Sequence, residues 1–140
     1  MIVKQVSVFV ENTVGRLADL TKILTDNNID LKASTIAETV DFGILRCIVE
    51  DPEKTVKILV ENGFSASISE VTGVSLEDKP GGLHKVLAAL SEAGIAVNYI
   101  YSTIKSAEGK AIIMLKTSDA AKAAEVLKAS GVELAGVDSF

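Results

Sequence analysis

A chain of 140 residues, 48% of them hydrophobic, is long enough for one ordinary domain or two small ones of about 70 residues, and without tryptophan its core must be aliphatic. The formal charge of -5 leaves no basic field to neutralise phosphates, so neither nucleic acid nor an anionic membrane surface is expected as a direct partner. No apolar run approaches the ~18 to 20 residues that span a bilayer and no signal-peptide core follows the N-terminus, so a cytoplasmic protein is expected.

Val6, Val8 and Val10 alternate with Gln5, Ser7 and Phe9, the pattern of a strand with one strongly apolar face. Beyond the Asn12 to Gly15 loop, Leu17, Leu20, Ile23 and Leu24 share one face of a helix that should end at Asn27-Asn28. A second strand is predicted over 29–35 and a third over 42–49, the latter containing the single cysteine, Cys47, read as a small buried hydrophobe. Asp51 and Pro52 open a second helix as N-cap and N1 proline, Gly63 stops it, and 64–69 supplies a fourth strand.

The order then begins again: strand 72–76, helix 82–93, strands 95–104 and 110–115, helix 118–130, strand 132–138. Gly15 matches Gly81, Leu17 matches Leu83, Asp51 matches Asp119 and Gly63 matches Gly131. Element order and punctuation repeated over nearly the whole chain identify a duplication, with domains expected at 1–70 and 71–140. Each half is a βαββαβ unit of ferredoxin-like topology, so the fold class is α+β, two such units in tandem, each an antiparallel sheet with its helices on one face. In this topology the second strand lies at a sheet edge. The one over 95–104 carries no charge, and such an edge invites pairing, with the other half or with a second subunit.

The two strand-to-helix junctions carry the candidate chemistry. In Glu77-Asp78-Lys79-Pro80-Gly81-Gly82-Leu83, an acidic residue, a proline and two glycines bring backbone N–H groups to a helix N-terminus, whose partial positive charge favours a carboxylate. Its twin is Glu11-Asn12-Thr13-Val14-Gly15-Arg16-Leu17. The junction Asp78 to Leu83, together with Ala93-Gly94 leading into Ile95-Ala96-Val97-Asn98, resembles the ACT domain, and the resemblance covers essentially the entire chain. The first half matches more loosely, with Val14 in place of the proline and Asn27-Asn28 in place of Ala-Gly.

The resemblance implies regulation by small molecules, most often amino acids, in amino-acid metabolism. It also implies association edge to edge through second strands, a homodimer being the expected form, with the junction loop of one unit facing the second strand of its neighbour. The chain is most similar to free-standing tandem members, which act through a partner enzyme or regulator. On this reading Asp78, Lys79, Pro80, Gly81, Gly82 and Leu83 form one ligand-binding loop. Asn12, Val14, Gly15, Arg16 and Leu17 form the other, and Asn98, Tyr99, Ile100 and Tyr101 select the ligand side chain.

From the residues alone, Asp78 either accepts from a ligand ammonium or merely caps the helix, and Arg16 either blocks the approach or clamps a carboxylate. Only one parity of the second strand can line a site, because the other faces the helices. One histidine, His84, and one distant cysteine do not supply a metal site, and no cofactor is implied. No nucleophile-elbow, phosphate-loop or dinucleotide motif is present, so the expected function is a non-enzymatic amino-acid sensor, the alternative being a ligand-free assembly module of the same fold.

Overall fold

Seven strands and four α-helices arise from these patterns among residues 2–104, 106 and 108–140, which the structure, a computed structural model, describes; positions 1, 105 and 107 of the expected domains lie outside them. In chain order they are β1 (Ile2–Glu11), α1 (Arg16–Asp26), β2 (Ala33–Glu38), β3 (Phe42–Ile48), α2 (Pro52–Glu61), β4 (Ser65–Glu77), α3 (Gly82–Glu92), β5 (Val97–Ser102), β6 (Lys110–Thr117), α4 (Ala120–Ala129) and β7 (Glu133–Leu134). The backbone divides into two units, residues 4–69 and residues 2–3 with 70–140.

In the first unit the strand order is β2-β3-β1-β4, with Val8 opposite Leu45 and Leu45 opposite Ile36 in antiparallel register. Val6, Val8 and Val10 meet Leu45, Cys47 and Val49 on one sheet face, and Leu20 and Leu24 of α1, Leu59 of α2 and Phe64 close over them. In the second unit β6 lies between β5 and β4, and β7 pairs with β4 on its other side. There Val74 and Leu115 are covered by Val86 and Leu90 of α3 and Ala123 and Leu127 of α4. Each unit is the α+β, ferredoxin-like arrangement expected, with its second strand, β2 or β5, at the end of the order. In β6 the residues on the opposite parity from Leu115 are also shielded, Ile112 being 5% and Met114 0% exposed.

All four helices end on one device. The N–H of Ile29, Phe64, Ile95 or Val132, three residues past the last helical residue, bonds back to Leu24, Leu59, Leu90 or Leu127 at 2.9 to 3.0 Å, and the apolar side chain tucks against the core. Asn28, at φ 56°, is the left-handed residue that allows this turn after α1, a conformation asparagine tolerates. This explains why Asn27-Asn28 stands where the second half has Ala93-Gly94. It also shortens the second strand: Ile95 belongs to the helix stop, and β5 begins at Val97.

The strands predicted over 64–69 and 72–76 are one strand, β4, because no glycine or proline interrupts Ser69-Glu70-Val71-Thr72. The last strand shrinks to Glu133–Leu134, and Ala135 keeps a single bond from its N–H to Gly73 O at 2.8 Å before the 3-10 turn Val137–Ser139.

The helix starts divide into two kinds. Asp51 and Asp119 cap α2 and α4, accepting from the N–H of Lys54 and Lys122 at 3.0 Å each. By contrast, α1 and α3 begin at left-handed glycines, Gly15 and Gly81, with no side-chain cap. These two uncapped starts are the junctions singled out above.

Candidate functional site

At the second junction β4 ends at Glu77, and the chain turns twice on backbone bonds, Lys79 N–H to Glu77 O at 2.9 Å and Gly82 N–H to Lys79 O at 3.1 Å. Gly81, at φ 91°, redirects the chain into α3. The first-turn N–H groups of α3 point out of its N-terminus, as in any helix. A cleft of about 540 Å³ opens there, walled by the Lys79 to Gly82 turn, Lys85 and Val86 of α3, Lys110 at the start of β6 and residues 131–133.

Its charges are mixed. Glu77 forms an ion pair with Lys79, and Lys110 Nζ stands 3.7 Å from Glu133 Oε2. The hydrogen bond from Lys79, and next its charge, hold the Glu77 carboxyl below the usual carboxylate range; desolvation opposes this, and Lys110 and Lys85 add smaller lowering. The cleft therefore offers ammonium and carboxylate groups together, the inventory a zwitterion needs.

Of the predicted residues, Lys79, Pro80, Gly81 and Gly82 line this cleft, and Asp78 and Leu83 do not. Asp78 does not cap α3 either: the cap position is Gly81, and the Asp78 N–H is bound to Gly109 O at 3.0 Å. The two glycines have different reasons. Nothing lies within 4 Å of a Cβ on Gly81, whose role is its left-handed backbone, whereas a Cβ on Gly82 would stand 2.2 Å from Glu77 O. Gly82 is thus required by the closure of the turn itself. Sequence reasoning missed Lys85, Lys110 and Glu133. The facing of Glu77 and Lys110 across the β4–β6 ladder is the signal that could have found Lys110, and Lys85 lies one helical turn beyond Gly81.

The second-strand candidates lie on β5, separated from β4 by β6, and none lines the cleft. A register shift between Val97 and Tyr99 leaves Asn98 as the extra residue. It places Ile100 opposite the core residue Leu115 on the helix face, and Tyr99 and Tyr101 on the other face opposite Lys116 and Met114. The two phenol rings stack with centroids 6.4 Å apart.

The first junction is organised differently. Asn12 and Leu17 line a cleft of about 380 Å³ with Ile36 and Glu38 of β2, and Asn12 Nδ2 donates to Glu38 Oε2 at 3.3 Å. Val14 stands fully exposed, at 107%. Arg16 is neither a free clamp nor a solvent-directed charge: its Nε donates to Glu11 Oε2 at 2.7 Å, and its guanidinium lies 4.0 Å over the Phe64 ring. That hydrogen bond is the main reason the Glu11 carboxyl lies below the usual range.

Cys47 is 1% exposed, and desolvation pushes its thiol up to about 12. At pH 8 the native protein should therefore give almost no reaction with a thiol reagent such as dithiobis-nitrobenzoate, and one equivalent once denatured. Rapid titration of the native thiol would contradict the burial. Among the described residues no three His, Cys, Asp or Glu side chains cluster as a metal site would require, and no helix is long and apolar enough to cross a membrane.

Residues 1–137 match a family described as the ACT domain pair. Among solved structures, protein BT0572 from Bacteroides thetaiotaomicron superposes with a TM-score of 0.90 at 44% identity, over 96% of this chain and 92% of that one. The ligand-free regulatory subunit of aspartate kinase from Thermus thermophilus gives 0.66 at 14% identity, over 91% of each chain. Clostridium acetobutylicum aspartate kinase gives 0.53 at 18% identity, over 91% of this chain and 32% of that one. The two kinase structures share the fold with this chain. No curated protein matches it.

Proposed function

The chain belongs to the ACT domain family as a tandem pair, and on that footing we propose that it is a non-enzymatic sensor which binds a free amino acid at the second junction and regulates an enzyme or regulator of amino-acid metabolism. We take residues 1–70 and 71–140 as the two domains and the cytoplasm as the compartment. The observation that carries the reading is the open cleft on the Lys79 to Gly82 turn, where a helix start without a side-chain cap meets side chains of both charges. An amino acid's carboxylate suits the lysines and the helix N-terminus, and its ammonium suits Glu77.

Two further points support it. A protein with this fold is the regulatory subunit of an aspartate kinase, crystallised in a ligand free form. The uncharged edge of β5, Val97–Ser102, suits pairing with a second copy of the chain, which would bring one face of a neighbour's second strand, Tyr99 and Tyr101 or Asn98 and Ile100, to bear on specificity. The junction of the first domain is a weaker candidate, since Arg16 is engaged by Glu11 and Phe64.

A thermal-shift screen against the common amino acids tests the proposal. A ligand at 100 times its Kd that ignores the unfolded chain stabilises the protein by ~2.7 kcal/mol. At roughly 2 to 4 °C per kcal/mol the midpoint should rise by several degrees. No shift with any amino acid would overturn the reading and leave a ligand-free assembly module in its place.

A further inference from the structure

The duplication allows the second cleft to be compared with its own twin. Gly15 and Gly81 start their helices with the same left-handed backbone, and Glu11 faces Phe42 across its ladder just as Glu77 faces Lys110. In that alignment Thr13 corresponds to Lys79, Arg16 to Gly82, Asp19 to Lys85 and Phe64 to Val132.

The first copy of the cleft is plugged from within. The Arg16 guanidinium lies over Phe64 and is bonded to Glu11, and the space left between Phe9, Glu11, Phe42 and Phe64, the counterparts of Ser75, Glu77, Lys110 and Val132, is about 220 Å³. The cleft of about 380 Å³ against β2 is a separate space, lined by Ile36 and Glu38. In the second copy glycine replaces the arginine and valine the phenylalanine, and the space is about 540 Å³. At three positions where the first copy has Thr13, Asp19 and Phe42, the second has lysine. One copy of the cleft thus supplies its own cation to its own carboxylate. The other is emptied of that side chain and lined with ammonium groups.

The charges left in the open cleft are three ammonium groups, Lys79, Lys85 and Lys110, against two carboxylates, Glu77 and Glu133. Lys79 is paired with Glu77 and Lys110 stands near Glu133, while Lys85 makes no ion pair among the described residues. A neutral amino acid, with one carboxylate and one ammonium, leaves this surplus cation uncompensated. An amino acid with a second anionic group matches it.

We propose that the second-domain cleft selects an amino acid whose side chain is itself anionic, a carboxylate or a phosphate ester, and that each chain binds one, because the first-domain copy is closed by Arg16. This rests on the reading that a free amino acid is the ligand at the second junction, and it names the class.

Isothermal titration calorimetry of the full chain should compare L-aspartate, L-glutamate and O-phospho-L-serine with their neutral counterparts L-asparagine, L-glutamine and L-serine. At least one acid should bind about tenfold or more tighter than its neutral counterpart, with one site per chain and an affinity that falls as salt is raised. The stronger of the carboxylate and phosphate arms identifies the side-chain anion. Lys85→Asp, which writes the first copy's Asp19 into an exposed helix position, should abolish the preference for the acid while leaving the ligand-free melting temperature within a few degrees of wild type.

Equal affinity for acid and neutral counterpart, a preference unchanged in Lys85→Asp, or two sites per chain would each overturn the proposal while the amino-acid-sensor reading stands. Absence of binding by every amino acid would overturn both.

Discussion

Gly82→Ala should lower the stability of the protein by about 3 kcal/mol and remove the amino-acid binding proposed for the second junction, because a methyl group there meets backbone. Its Cβ would stand 2.2 Å from Glu77 O and 3.4 Å from Leu76 Cδ1. A flexible side chain could swing away from such a contact, but the Glu77 carbonyl oxygen belongs to the end of β4 and already accepts from the Lys79 N–H at 2.9 Å. Relieving the clash means reopening the turn, which also breaks the Gly82 N–H bond to Lys79 O and displaces the floor of the cleft. Gly81→Ala is the instructive companion. With nothing within 4 Å of its Cβ, it bears only the cost of a left-handed alanine, about 1 to 2 kcal/mol, and the turn survives. Urea unfolding of both variants checks the order. A Gly82→Ala protein as stable as wild type would show that the turn is not closed as described.

Leu127→Ala and Leu59→Ala should each cost about 2 to 5 kcal/mol, a large part of the 5 to 15 kcal/mol by which a domain is ordinarily stable. Both side chains are 0% exposed and occupy equivalent places in α4 and α2, against Val74, Leu90 and Leu115 in one core and Val8, Leu24 and Leu45 in the other. Their functional consequences should differ. The Leu127 carbonyl accepts from Val132 N–H at 3.0 Å and so anchors the 131–133 wall of the open cleft, and loosening α4 should weaken ligand binding. The matching bond from Phe64 N–H to Leu59 O anchors the wall of the plugged cleft, so Leu59→Ala should leave the affinity unchanged wherever the protein is still folded. Denaturant midpoints and calorimetry together test this, and equal loss of affinity in both variants would contradict it.

The helix start at Asp51, the helix stops, the apolar faces of the helices and the alternation of β1 were legible in the sequence, and the cap at Asp119 through its match to Asp51, although that helix was predicted from 118 and begins at Ala120. Each depends on residues within a turn or two of one another, where periodicity and capping chemistry act without the rest of the chain. The duplication was legible for the same reason, since it repeats local punctuation. The single strand Ser65–Glu77 was split by reading each repeat as a closed unit, although no residue between Ser69 and Thr72 breaks a strand.

The junction Glu77 to Leu83, with its glycines and its helix start, was readable by itself, and so was its twin at Glu11 to Leu17. Tertiary structure decided what the two junctions present. Register across β4 and β6 brings Lys110 to Glu77, a turn of α3 brings Lys85 to the same space, and the chain past α4 brings Glu133. Packing of Phe64 beneath Arg16 closes the first copy. Asp78, the most conspicuous residue of the motif, does not line the cleft, and its backbone N–H is bound to Gly109 O. Conformation at a turn is set by neighbours in the chain, but the charge of a cleft is a sum over side chains far apart in sequence, and only the folded sheet assembles that sum.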